Sequence, residues 1–120
     1  MTVEVDIVAA LRTVCLRVYS DAAPQGAELP WITFQFTGGR PLRWLNGTPA
    51  DKRHSYVQVS CWAASRTVAL QLARAAETAL CDVGAPFMGQ PDSEPICDVE
   101  TDMQSPIYSA VQDFSIYSQR

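Results

Sequence analysis

The chain has 120 residues, 48% of them hydrophobic and 18% charged, a balance that supports a buried core and excludes an intrinsically disordered segment. Its 13 acidic and 9 basic residues leave a formal net charge of -4. That charge argues against tight, general nucleic-acid binding, which needs a basic excess to neutralise phosphates. No apolar run approaches the roughly 20 residues that span a bilayer. Glu4 and Asp6 stand where a secretory leader would be basic, so the expected setting is the cytosol, with no membrane partner.

Residues 2–19 are expected to form a helix, because Val3, Ile7, Ala10, Leu11, Val14 and Val18 recur at helical spacing. Thr2 suits the N-cap, and Glu4 and Asp6 suit the positive end of the helix dipole. A second apolar strip, Val5, Val8, Cys15 and Leu16, needs either deep burial or a partner. Residues 20–30 read as a loop. Pro30 then opens a strand over 31–37, with Ile32, Phe34 and Phe36 on one side and Trp31, Thr33, Gln35 and Thr37 on the other.

A polar connection over 38–53 follows, holding Arg40, Arg43, Lys52 and Arg53 together with Leu42, Trp44 and Leu45. Connections of this length in a small domain are usually functional or mobile. A second strand over 54–62 points Val57, Val59 and Cys61 one way and Tyr56, Gln58, Ser60 and Trp62 the other. Ser65 is placed to cap a helix reaching about Val83. Its expected apolar stripe is Val68, Leu72, Ala75, Ala76, Ala79, Leu80 and Val83, with Arg66, Gln71, Arg74, Glu77 and Asp82 facing water and Gly84 as the stop.

Residues 84–95, rich in proline and glycine, read as a loop. A strand over 96–101 carries Asp98, Glu100 and Asp102 on alternate positions, and a last strand over 107–118 carries Tyr108, Ala110, Phe114 and Ile116, with Gln112 as a polar exception. The expected fold is therefore α+β in the order α-β-β-α-β-β. Two helices would pack on one face of a four-stranded antiparallel sheet, in a single domain over 1–120.

Little in the sequence assembles a reactive centre. His54 is the one histidine, so any histidine-dependent catalysis must use it, and it reads as an exposed strand-edge residue. The cysteines Cys15, Cys61, Cys81 and Cys97 lack the close pairing that zinc sites use and read as small buried hydrophobes. No phosphate-binding glycine motif occurs. No catalytic residue, metal ligand or cofactor site is expected. Asp98, Glu100 and Asp102 would line up about 7 Å apart on one strand face. They suit solvent, a cation, or the basic residues Arg40, Arg43 and Arg53 of a neighbouring molecule.

The order of elements resembles the tail completion, or tail terminator, proteins of long-tailed bacteriophages and prophages. The resemblance is carried by the strand Pro30-Trp31-Ile32-Thr33-Phe34-Gln35, the polar connection after it, and Tyr56-Val57-Gln58-Val59-Ser60-Cys61-Trp62-Ala63 leading directly into the helix from Ser65. The closing strand from Ile107 to Tyr117, with its Asp113-Phe114 pair, completes it. It implies a structural, non-enzymatic subunit that forms a homo-oligomeric ring, commonly of six copies, at the end of the tail. The implied partners are the tail tube protein and head connector proteins, with weak contact to DNA in the lumen. The implied location is the host cytoplasm during assembly and then the virion tail. Arg40, Leu42, Arg43, Trp44, Leu45, Lys52 and Arg53 are candidate interface or lumen residues, and Asp98, Glu100 and Asp102 are their candidate complement. A contrasting expectation is a small-ligand or regulatory domain with an apolar pocket between helices and sheet.

Overall fold

In a computed structural model of the chain, residues 3–40, 52–81, 87–101 and 105–119 are described. The elements are α1 (Val3–Arg12), β1 (Val18–Ser20), β2 (Trp31–Gly38), β3 (Lys52–Ala63), α2 (Arg66–Cys81), β4 (Phe87–Pro91), β5 (Ile96–Glu100) and β6 (Ile107–Gln119). The class is α+β, as expected, with two helices among the described residues. The sheet, however, has six strands rather than four and is mixed rather than antiparallel. Its order is β1-β2-β3-β6-β4, with β5 pairing β6 further along the same edge.

The extra strands come from segments with conflicting local signals. The first helix stops at Arg12, well short of residue 19. The amides of Thr13, Val14 and Cys15 close its last turn onto Ala10 and Leu11, and the Thr13 hydroxyl donates to the Ala10 carbonyl at 2.6 Å. Val18–Ser20 then runs parallel to β2, with Val18 opposite Ile32. β-Branched Val18 suits this extended course better than a helix. The other surprise is β4. Gly89 is not a loop signal there: a Cβ at this position would collide with the Leu80 carbonyl of α2, so glycine lets the strand pass beneath the helix.

The long β3–β6 ladder, from Lys52 opposite Gln119 to Ala63 opposite Tyr108, is the spine of the molecule. β4 and β5 line its outer side in succession. Between Pro91 opposite Phe114 and Ile96 opposite Val111, the β4–β5 strand carries residues that β6 does not match, so the ladder bulges. Gln112 lies at this irregularity and is buried. Its Nε2 donates to Glu77 Oε1 of α2 at 2.7 Å and to the Ser93 carbonyl at 2.9 Å, while its Oε1 is buried without a partner.

Alternation sorts the sheet into two faces. One joins both helices: Ile32 and Phe34 of β2, Val57, Val59, Cys61 and Ala63 of β3, and Ala110, Phe114 and Ile116 of β6 are buried with Ile7, Leu11 and Leu80. Ser65 caps α2, its Oγ accepting from the Val68 amide at 3.3 Å. The buried line of α2 is Ala69, Ala73, Ala76 and Leu80, rotated from the expected stripe, and Val68 is exposed. Alanine along that line lets the helix lie close to the large side chains of the sheet. The expected roles of Thr2, Asp82, Val83 and Gly84 lie outside the described residues.

Candidate functional site

Among the described residues no helix lies on the opposite face of the sheet, and pairing register arranges that face in rows. At one end lie Trp31, Trp62, Ser109 and Asp98, followed by Thr33, Ser60, Val111 and Ile96. Gln35, Gln58 and Asp113 form the middle, where Gln58 Nε2 donates to Asp113 Oδ1 at 3.4 Å. At the far end His54 faces Tyr117, and Tyr117 faces Met88.

The first end is aromatic and acidic. The rings of Trp31 and Trp62 lie 6.3 Å apart at 30°, and Trp62 Nε1 donates to Thr33 Oγ1 at 3.2 Å, which fixes the indole. Parallel pairing of β1 with β2 obliges the chain to travel back along the sheet before β2 begins. The returning connection, residues 21–29, rises beside the tryptophans. Together they enclose an open groove of about 810 Å³, whose lining also includes Glu100 and Ile107. This groove lies away from the helices, whereas a smaller pocket of about 300 Å³ opens beside α1, against Ser20 and Phe34.

On β5, Asp98 and Glu100 are exposed on the same face as Ile96, which is 67% exposed. The expected acidic strand face is thus present for those two residues, while Asp102 lies outside the described residues. Neither carboxylate forms an ion pair among the described residues, where the one salt bridge is Arg17 to Glu28 at 3.2 Å.

The second end corrects the reading of His54. It is not exposed: 8% of its surface is accessible, with Tyr56 edge-on at 4.6 Å and Tyr117 at 4.8 Å. Its Nδ1 accepts the Arg40 amide at 2.9 Å, so the remaining ring proton sits on Nε2. Gly39 crosses so near that a Cβ there would meet the His54 carbonyl. The histidine is therefore a clamp at the root of the β2–β3 connection. Arg40 and Arg53 are both exposed at this end. Leu42, Arg43, Trp44 and Leu45 lie outside the described residues, and for Lys52 only its place at the start of β3 is described.

Charge thus divides the long axis of the sheet. Asp98 pairs with Ser109 and Arg53 with Ser118, both on β6. That separation is about 30 Å at roughly 3.3 Å per residue. Among the described residues, Asp98 and Glu100 are thus not brought together with Arg40 and Arg53.

The thiols divide differently from expectation. Cys15 and Cys61 are buried, whereas Cys81 and Cys97 are only half-buried, and all four are free. Burial, aided by neighbouring Cys15, pushes the Cys61 thiol up to about 12. Burial, with Glu77 adding to it, also raises Cys81. Among the described residues no group of three or more His, Cys, Asp and Glu side chains gathers as metal ligands would.

Compared with protein-family models, residues 4–117 match the family described as tail completion protein gp17. The chain belongs to that family. This tail completion protein is a structural component of a phage tail. No curated protein sequence matches it. Among the described residues, no helix of this tail completion protein is long and apolar enough to cross a membrane. Sequence reasoning missed the Trp31–Trp62 pair as a site, although strand alternation placed both side chains on the outward face. It also missed the Gln112–Glu77–Ser93 link. Its only local signal was a polar residue in an apolar stripe, with nothing to indicate the partners.

Proposed function

We propose that copies of this tail completion protein associate head to tail into a homohexameric ring at the end of the tail tube, which ends tube growth and offers the head its joining surface. The observation that supports this reading is the separation of complementary charge. Asp98 and Glu100 are exposed near one end of the sheet, and Arg40 and Arg53 are exposed at the other. Charges so far apart cannot neutralise each other within a chain, but they meet when the end of one copy approaches the opposite end of the next. A contact between two different patches closes into a ring when the rotation between copies is right.

In this reading Arg40, Arg43, Lys52 and Arg53 face Asp98, Glu100 and Asp102 of the neighbour, while Leu42, Trp44 and Leu45 supply apolar anchoring. Such charges set register and encounter rate more than raw affinity. Basic residues not used between subunits line the lumen and touch passing DNA weakly. The tail tube protein and the head connector proteins bind the two rims, assembly takes place in the host cytoplasm, and the role is assembly rather than catalysis.

Light scattering on the purified protein tests this. The expected mass is that of a hexamer of the 13.2 kDa chain, alone or after addition of tail tubes. Arg53→Glu should shift the population toward monomer, as should Glu100→Lys, and mixing the two variants should restore the ring. A wild-type chain that stays monomeric in both conditions, or a mass indifferent to both reversals, sinks the proposal.

A further inference from the structure

We infer that the groove between Trp31, Trp62 and the 21–29 connection is the seat for residues 40–53 of a second copy of this chain. This rests on the ring reading above and assigns the apolar half of its contact.

The groove is preformed. The Trp62 indole is held by its hydrogen bond to Thr33 and stands against Trp31, so the aromatic wall does not have to be ordered on binding. At about 810 Å³ it is large enough for several side chains, and Ala22, Ala27, Leu29 and Ile107 help make its lining mostly apolar. Among the described residues its charged lining is acidic: Asp21, Glu28 and Glu100. Arg17 partly neutralises Glu28, whereas Asp21 and Glu100 form no ion pair among the described residues. The groove therefore selects a segment that is both basic and apolar.

Residues 40–53 have that composition. They include Arg40, Arg43, Lys52 and Arg53 against the single acid Asp51, together with Pro41, Leu42, Trp44 and Leu45. An arginine of this segment placed over either indole gains a cation–π contact as well as the carboxylates of the rim. The described ends of this segment, Arg40 and Lys52, lie at the far end of the hairpin from the groove of their own chain. The segment leaves the sheet after Gly38, whereas the groove begins at Trp31, the other end of the 8-residue β2. That end is about 23 Å away at roughly 3.3 Å per residue. Seat and occupant at opposite ends of one hairpin give a contact that repeats from copy to copy.

The test uses a fluorophore-labelled peptide of residues 38–54 as probe. The receptor is full-length protein carrying Arg43→Glu, whose own segment competes poorly. Saturable binding by anisotropy is expected, weakened about tenfold by Trp62→Ala and by raised salt. The exposed Glu100→Lys change should weaken it too, and because it disturbs no packing it keeps the test valid if Trp62→Ala folds poorly. Absence of binding, or binding unchanged in both variants, overturns the inference. So would groove variants that block attachment to tail tubes while peptide binding is absent, since the groove would then belong to another partner. Light scattering reports separately on the ring. A wild-type hexamer without peptide binding sinks the groove assignment alone, and peptide binding by a chain that never assembles sinks the ring alone.

Discussion

The two faces of one sheet solve opposite problems with the same alternating strands. Toward the helices, β3 and β6 present Val57, Val59, Cys61, Ala110, Phe114 and Ile116, all essentially inaccessible to water. Away from them, the same strands present Trp62, Ser60, Gln58, Asp113 and Tyr117, most of them half-buried and several linked by hydrogen bonds or ring contacts. The first face is packed against the chain's own helices. The second carries the acidic residues of β5 and the aromatic groove, with residues 21–29 beside it. Assembly chemistry is thus written on the face that folding leaves open.

The sharpest way to break this contrast is to damage the closed face. Phe114→Ala should cost about 4 kcal/mol, since a fully buried phenyl leaves both transfer energy and a cavity behind. Chemical denaturation measures it, and a cost below about 1 kcal/mol would mean that the core is not closed around this ring.

Titration of the closed face ranks next. The Cys61 thiol is pushed up to about 12, against an ordinary value of 9.0 that it regains on unfolding. Its contribution is fully present below pH 9 and is lost as pH climbs toward 12, because the unfolded chain releases the proton first. By pH 11 the loss amounts to roughly 2 to 3 kcal/mol. Cys61→Ala lacks this dependence, so denaturation curves of the two proteins should converge between pH 9 and pH 11. Parallel curves would contradict the depth of burial.

On the open face the expected effects shrink. Thr33→Val removes the acceptor for Trp62 Nε1 and should cost about 1 kcal/mol. Because it frees the indole, Trp62 fluorescence anisotropy in a protein lacking the other tryptophans should fall with it. Least of all, Asp98→Lys should leave the melting behaviour within about 0.5 kcal/mol of wild type, as surface substitutions do. It should nevertheless change assembly in light scattering, and a large loss of stability would place Asp98 in the fold rather than in a contact.

Much of this was legible from residue order alone. Alternation in 31–37, 54–62 and 107–118 gave both the strands and the division of their side chains between faces, because a strand side chain has only two directions to point. Ser65 and the alanine-rich run after it gave α2, although not its rotation. Ala69 and Ala73 are as compatible with water as with a core, and only the neighbouring Phe34 and Phe114 decide their side. The acidic face of β5 was equally visible in the spacing of Asp98 and Glu100.

What local pattern could not decide was which backbone edges needed a partner. Val18 fits a helical stripe and a strand equally well. It became a strand because β2 exposed an edge, which β1 satisfies from Val18 opposite Ile32 onward. Phe87–Pro91 reads as a loop by its glycine and proline, yet it completes the outer edge of β6 beneath α2. The groove follows from the first of these choices, since parallel pairing sends residues 21–29 across the open face. Sequence by itself determined the two-sidedness of the long strands and the charge each segment carries. Tertiary structure alone decided the added strands, the burial of His54 and the meeting of Trp31 with Trp62, because those depend on hydrogen-bonding edges and neighbours that are distant along the chain.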